Sequence, residues 1–331
     1  MCTAISWNSG DHYFGRNLDL DRHFNEAVTV TPRNFPLSFR TLPPLQNHYA
    51  IIGIATVIES YPLYYDATNE FGLSMAALNF PGNAFYPDIQ QQKDNIAPFE
   101  FIPWILGQCK NLAQVREKLK NLHLCNIPFS QDIPLTPLHW MISDPNSSIV
   151  IESTKTGSYI YDNPTDTLTN SPAFDYHYQN LSNYMHVTAE QATDRFSDAL
   201  MLTPYSLGMG GLGLPGDLSS TSRFIRAVFT LKNASTYDTE EKSVAQFFHI
   251  LNTVSQTDGC VHTPEGLEKT IYSSCCNTDK CIYYYTTYFG NQITAVSMTE
   301  ENKNTDHLIS YPLRRQNMIL YESQQKTNSR Q

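Results

Sequence analysis

The sequence predicts an α+β fold in which stacked sheets are covered by helices. Three observations carry this expectation: strand patterns lie at both ends of the chain with helical ones between, the internal strands are apolar on both faces, and no Pro/Gly/Ser-rich linker divides the molecule. The chain opens with two short runs, Cys2 to Trp7 and His12 to Leu18, around the turn cluster Asn8-Ser9-Gly10-Asp11, which predicts a β-hairpin starting at residue 2. His48 to Ile58 and Phe71 to Leu78 are β-branched or apolar runs that read as strands buried on both faces. Behind a capping Asn111, Leu112, Val115, Leu119 and Leu122 recur at helical spacing. Ile225, Val228 and Phe229 predict a short helix over Ser222 to Leu231, and Val244, Phe247, Phe248, Leu251 and Val254 predict another after Ser243. Ile282 to Tyr288 and Ile293 to Met298 flank Phe289-Gly290-Asn291-Gln292, a hairpin signal centred on Gly290-Asn291. No internal repeat is visible; residues 2–320 read as one domain and 321–331 (YESQQKTNSRQ) as a loose polar tail.

Composition narrows the function classes. Across 331 residues, 22 basic against 32 acidic side chains leave a formal charge of −10, the wrong sign for a nucleic-acid backbone. Only 16% of residues are charged and 12% are aromatic, so the chain is built to pack rather than to stay disordered. Without a long apolar run or a basic, apolar leader, no membrane association is expected and the cytoplasm is the expected compartment. Seven cysteines, an odd number, fit reduced thiols better than a disulfide framework, and Asn-x-Ser matches at Asn146, Asn180 and Asn233 then carry no glycan meaning.

Two motif matches are set aside. Gly208, Gly210 and Gly213 have dinucleotide-binding spacing, but Pro215 and Gly216 deny them the helix N-terminus that a pyrophosphate requires, so a loop is expected. Cys260, His262, Cys275, Cys276 and Cys281 contain no C-x-x-C pair and are expected to be structural, without metal; Cys109 and Cys125 sit in apolar surroundings expected to be helical.

Cys2 differs. Loss of Met1 would place a thiol and a free amine on one residue, both with ordinary pKa values close enough to neutrality to serve as nucleophile and base. Alone, Cys2 reads better as an ordinary second residue. Its neighbours change the weighting, because a hairpin returns Phe14-Gly15-Arg16-Asn17-Leu18-Asp19 beside it with a guanidinium that favours thiolate and a carboxylate that can orient an amine. The alternative for Arg16 and Asp19 is a surface ion pair.

These residues also carry a resemblance. MCTAI, FGRNLDLD, VTPRNFP, MAALNFPG, PLHWMISD, LTNSPAFDY, GLPGDLSSTSRFIR and CIYYYTTY, in this order over nearly the whole chain, resemble the choloylglycine hydrolase family, and within it the bile salt hydrolases of intestinal lactic acid bacteria. The resemblance implies an N-terminal nucleophile hydrolase fold, an αββα four-layer sandwich with largely antiparallel sheets. It implies Cys2 as nucleophile, Arg16 and Asp19 beside it, the backbone N–H of Asn79 and the side-chain amide of Asn170 at the oxyanion, and Arg223 in support. The implied reaction is hydrolysis of the amide joining a steroid acid to glycine or taurine through a thioester, with conjugated bile salts as partner and no cofactor. A homotetramer is implied as well. Beside Cys2, Arg16 and Asn79, the steroid pocket is expected to use Phe24, Tyr65, Ile133, Leu135 and Leu138, with neighbours in Tyr61 to Tyr65, Asn79 to Phe85 and Leu138 to Met141. Penicillin V acylases share the family, but tend to carry an aromatic residue where Asn79 stands. A steroid-binding protein without catalysis is the alternative from another class.

Overall fold

A computed structural model describes residues 1–322; the expected tail thus falls largely outside the described residues. Strand Cys2–Ser9 pairs antiparallel with Asp11–Leu20, with Cys2 opposite Leu18, as the opening pattern predicts. This hairpin lies within a seven-stranded sheet, flanked by Thr167–Leu168 on one side and by Leu267–Asn277, Ile282–Thr287 and Gly290–Ser297 on the other, with the short Val261–His262 paired to Leu267–Asn277. An eight-stranded antiparallel sheet contains Ala27–Thr31, Ile51–Ile58, Tyr61–Asn69, Ser74–Asn79, Leu138–Asp144, Ser147–Thr154, Gly157–Asp162 and Ile309–Pro312.

Three apolar cores separate four layers, giving the αββα sandwich. Between the sheets lie Cys2, Ala4, Phe14 and Leu18 of one and Val28, Ile52, Ile54, Leu78, Met141 and Val150 of the other. Helices Phe101–Leu106 and Leu112–Leu119 cover the outer face of the eight-stranded sheet through Ile105, Leu106 and Val115 against Met75, Trp140 and Ile142. Leu231, Phe247 and Leu251, from helices Ser220–Asn233 and Glu240–Asn252, cover the seven-stranded sheet over Ile5, Trp7 and Tyr13. Strands sandwiched this way need apolar side chains on both faces, which is why their sequences lack polar alternation.

The helix capped by the Asn111 side chain ends at Leu119, and Leu122 belongs instead to the short strand Leu122–Leu124, parallel to Asp94–Ile96. The later helix starts earlier than its apolar stripe, at Glu240, where two acidic residues favour the positive helix end, and stops before Val254. The last hairpin turns at Tyr288-Phe289, not at Gly290-Asn291, with Thr287 opposite Gly290. Gly290 serves close packing instead: a Cβ there would lie 2.6 Å from Thr287 Oγ1 and 2.7 Å from Arg314 O. Cys109 and Cys125 are buried beyond the ends of their elements rather than within helices. Gly208 to Gly213 form a loop with one 3-10 turn, Met209–Gly211. Cys275 and Cys276, adjacent on one strand, enter different cores, so their thiols face opposite sides of the sheet.

Candidate active site

The opening hairpin sorts its polar residues by strand alternation. Cys2 is buried at the start of the first strand, and its partner Leu18 shares a face with Arg16, so thiol and guanidinium both point toward the second sheet. Arg16 is fully buried and donates from Nη1 to Tyr65 O at 2.9 Å and to Ala77 O. Burial opposes its charge, but Cys2, Tyr272 and Asp66 outweigh that cost and raise its pKa. Asp66 is itself clasped by hydroxyls: Tyr272 OH donates to it at 2.7 Å, Ser274 Oγ at 3.1 Å, and Tyr283 OH also donates.

Asp19, three residues after Arg16, falls on the opposite face. Its Oδ1 accepts from Thr270 Oγ1 at 2.7 Å, and its Oδ2 lies 4.0 Å from Arg223 Nη1 of helix Ser220–Asn233. Burial raises the Asp19 pKa, against the pull of Arg223. Neither of the two is a surface ion pair.

Arg223 reaches from its helix to the nucleophile's backbone, donating from Nη1 to Cys2 O at 2.5 Å and to Thr3 Oγ1 at 2.7 Å, and from Nη2 to Asn170 Oδ1 at 2.7 Å. Asn170 Oδ1 also accepts from Cys2 N at 2.7 Å, while Asn170 Nδ2 donates to Asn79 O at 2.8 Å. Two donors on one side and a carbonyl on the other dictate the amide's orientation. One of the two Nδ2 hydrogens is therefore engaged by Asn79. Met1 is still joined to Cys2; its ammonium donates to Asp19 O at 2.8 Å and contacts Glu268, and burial lowers its pKa.

Of the expected steroid-pocket residues, Tyr65 stands next to Arg16 through its carbonyl, and its hydroxyl is 2.9 Å from Thr56 Oγ1, which donates to Phe24 O at 2.9 Å. Phe24 is 44% exposed and free to meet a ligand. Leu138 lies opposite Asn79 across the strand pair. Leu135 packs into the core under helices Phe101–Leu106 and Leu112–Leu119, and Ile133 is tied within its own loop by Ser130 Oγ. The structure thus groups Arg16, Tyr65 and Phe24, and separately Asn79 and Leu138; no hydrogen bond joins Ile133 or Leu135 to Cys2 among the described residues. A groove of about 720 Å³ beside Tyr49, Gln108 and Lys118 lies away from these groups.

Sequence reasoning missed Asp66, Glu152 and the helical His177, and covered His139 only as a member of the Leu138 to Met141 range, with no role of its own; all four are buried. The available signal was a lone ionisable residue within an apolar strand, as in YYDAT, LHWMI and IVIES.

Comparison with known proteins identifies the family. The family model of linear amide C–N hydrolases, choloylglycine hydrolase family, matches residues 2–311. The chain is 54% identical over 315 residues to the bile salt hydrolase/transferase of Lactiplantibacillus plantarum, covering 95% of this chain and 97% of that one. It is 39% identical over 318 residues to the Clostridium perfringens protein of the same description, covering 94% and 96%. A mutant conjugated bile acid hydrolase from Clostridium perfringens superposes with a TM-score of 0.90 at 37% identity, over 98% of this chain and 100% of that one. Penicillin V acylase from Agrobacterium tumefaciens, at 18% identity and a TM-score of 0.72 over 93% and 90%, shares the fold. The eight sequence blocks, the four layers and a cysteine at the head of the opening hairpin therefore converge, and the chain belongs to the choloylglycine hydrolase family of linear amide C–N hydrolases.

Proposed function

We propose that this protein is a bile salt hydrolase that cleaves the amide of glycine- or taurine-conjugated bile acids with Cys2, freed of Met1, as nucleophile. The observation that carries the catalytic reading is that Asn170 and Arg223, distant in sequence, both bind the Cys2 backbone, while Asn79 O holds the Asn170 amide in place. With Met1 removed, Cys2 N becomes an amine 2.7 Å from Asn170 Oδ1, which can hold it while it takes the thiol proton. The thiolate attacks the amide carbonyl, the Cys2 ammonium protonates the departing amine, and glycine or taurine leaves behind a thioester. Water, deprotonated by the same amine, then releases the bile acid and restores the thiol. Arg16, buried on the thiol's face, favours thiolate. The Asn79 backbone N–H and the second Asn170 amide hydrogen are our candidates for the oxyanion, each donor worth roughly 3 kcal/mol. Phe24, Tyr65 and Leu138 are candidates for the steroid, with Ile133 and Leu135 as outer members.

Asn79 supports bile salts over penicillin V, because a glycine carboxylate or taurine sulfonate needs polar donors near the scissile bond. The catalytic efficiency, kcat/KM, on glycocholate or taurocholate should exceed that on penicillin V by at least about tenfold, roughly 1.4 kcal/mol of transition-state binding. Equal efficiency would transfer the assignment to an acylase, and binding without turnover to a steroid carrier. Intact mass of the active enzyme should lack Met1.

We also propose self-association as a homotetramer. Met185 (84%), Phe196 (77%), Met201 (97%), Tyr205 (83%) and Leu207 (93%) expose apolar side chains along one loop region, the kind of surface that a partner copy covers. Light scattering of wild type against Met201→Asp/Leu207→Asp tests this, a monomeric wild type excluding it. No described helix is long and apolar enough to cross a membrane, and the thiols are unbonded, which supports a cytoplasmic site.

A further inference from the structure

Asn170 stands where the chain leaves the sheet. Pairing with the first strand ends at Leu168, so the backbone groups of Thr169 and Asn170 must find partners elsewhere. Side chains supply them. Ser220 Oγ accepts from Asn170 N at 2.8 Å, His177 Nε2 donates to Asn170 O at 2.8 Å, and His139 Nε2 donates to Thr169 O at 2.9 Å. His139 and His177 are fully buried.

His139 makes three contacts. A carbonyl only accepts, so Nε2 must carry hydrogen toward Thr169. Its Nδ1 lies 3.1 Å from Glu152 Oε1, which also accepts from Phe174 N at 3.0 Å, so one proton lies between imidazole and carboxyl. Glu152 is fully buried and cannot swing away to solvent. On its flat face, His139 stacks on Phe80 at 4.3 Å and 6°. Phe80 follows Asn79 and Thr169 precedes Asn170. One imidazole therefore braces the neighbours of Asn170, which binds Cys2, and of Asn79, which binds Asn170.

We propose that His139, oriented by Glu152, is a positioning residue that holds Thr169 and Phe80 so that the Asn170 amide stays aligned between Cys2, Arg223 and Asn79. The proposal rests on Cys2 being the nucleophile. Misplacing the amide weakens contacts of the reacting centre while leaving the steroid contacts alone, so the loss belongs in kcat.

The test compares His139→Phe, which keeps a stacking ring but loses the donor, with His139→Gln, which retains an N–H at a similar reach. His139→Phe should lower kcat on glycocholate by about twentyfold with KM within about twofold, and His139→Gln should recover to within about fivefold of wild type. On an Asn170→Ala background, His139→Phe should cost less than about a further threefold, since residues acting through one another are not additive. If His139→Phe does not fold, Glu152→Gln, nearly unchanged in volume, should lower kcat by about fivefold at unchanged KM. A substrate-free readout separates this proposal from the bile salt reading: the Asn170 side-chain amide signals in selectively 15N-labelled protein, assigned by their loss in Asn170→Ala, should move in His139→Phe and return in His139→Gln. Wild-type inactivity on every conjugated bile salt would sink only the substrate reading. Unmoved Asn170 signals in His139→Phe, an unchanged kcat in folded His139→Phe or in Glu152→Gln, or losses that multiply fully in the double variant would each overturn the positioning role.

Discussion

Cysteine chemistry at the residue scale is decided by surroundings. Burial pushes Cys109, Cys125 and Cys281 up to about 11 and raises Cys275 and Cys276 well above the ordinary thiol value, which keeps these five protonated at neutral pH. Cys2 shares its sheet face with the buried Arg16, and of the charged neighbours it is the one that most favours that guanidinium's charge. Accordingly, Cys2→Ala should reduce turnover by more than about a thousandfold, whereas Cys109→Ala and Cys276→Ala should keep most of it. Comparable losses in all three would remove the nucleophile. Arg16→Leu should slow iodoacetamide labelling of Cys2 at pH 7 severalfold, because a positive charge on the thiol's face that favours thiolate is lost. Labelling at the wild-type rate would take Arg16 out of the nucleophile's environment. Arg16 and Asp19 were both legible from the FGRNLDLD block; that they reach the site from opposite faces follows from alternation once the strand is known.

At the scale of elements, the opening hairpin is the decisive piece, and its tightest point is Gly15. A Cβ there would sit 2.0 Å from Ser274 O, on the neighbouring strand that supplies hydroxyls to Asp19 and Asp66. Backbone cannot yield as a side chain tip can. Gly15→Ala should therefore lower Tm by roughly 5 °C or more and depress kcat as well, since spreading these strands moves Arg16; overpacking of this kind costs about 1–3 kcal/mol or more. A thermal scan at wild-type Tm would contradict the close approach. By contrast, Asn111→Ala removes only a cap, accepting from Gln114 N at 3.0 Å, and should cost about 1 kcal/mol with no change in kcat. The hairpin was predictable because alternation and turn residues are local; the shifted turn at Tyr288-Phe289 was not, because Gly290 answers to Arg314, distant in sequence.

For the whole molecule, pH dependence of stability reports how the sandwich holds its buried polar groups. His12 bridges Ser6 Oγ at 2.8 Å and Thr278 Oγ1 at 2.7 Å inside the structure, and burial lowers its pKa to about 4 despite Asp279, Asp144 and Asp166 nearby. Between its ordinary 6.5 and about 4, the unfolded chain binds a proton that the native one refuses. Stability falls as pH drops through that window, by at most about 3 kcal/mol from this group, and the loss levels off below it. Raised acids such as Asp19 and Asp66 act in the opposite direction, so a variant is needed to isolate the histidine. His12→Gln should lose less stability than wild type between pH 7 and 4.5 in urea titrations; equal losses would show that His12 is not refused a proton.

The sequence by itself determined the hairpin at residue 2, the apolar strands, the three principal helices and the family, because each rests on patterns within some ten residues or on ordered blocks along the chain. It also picked out Cys2, Arg16, Asp19, Asn79, Asn170 and Arg223 by resemblance. Only the tertiary structure decided how they meet. Asn170 reaches Cys2 across 168 positions and Arg223 reaches it across 221, distances at which no spacing rule operates. The same holds for Asp66, His139 and Glu152, whose roles arise from burial: a charged or polar group removed from water must find partners, and stacking two sheets is what chooses them.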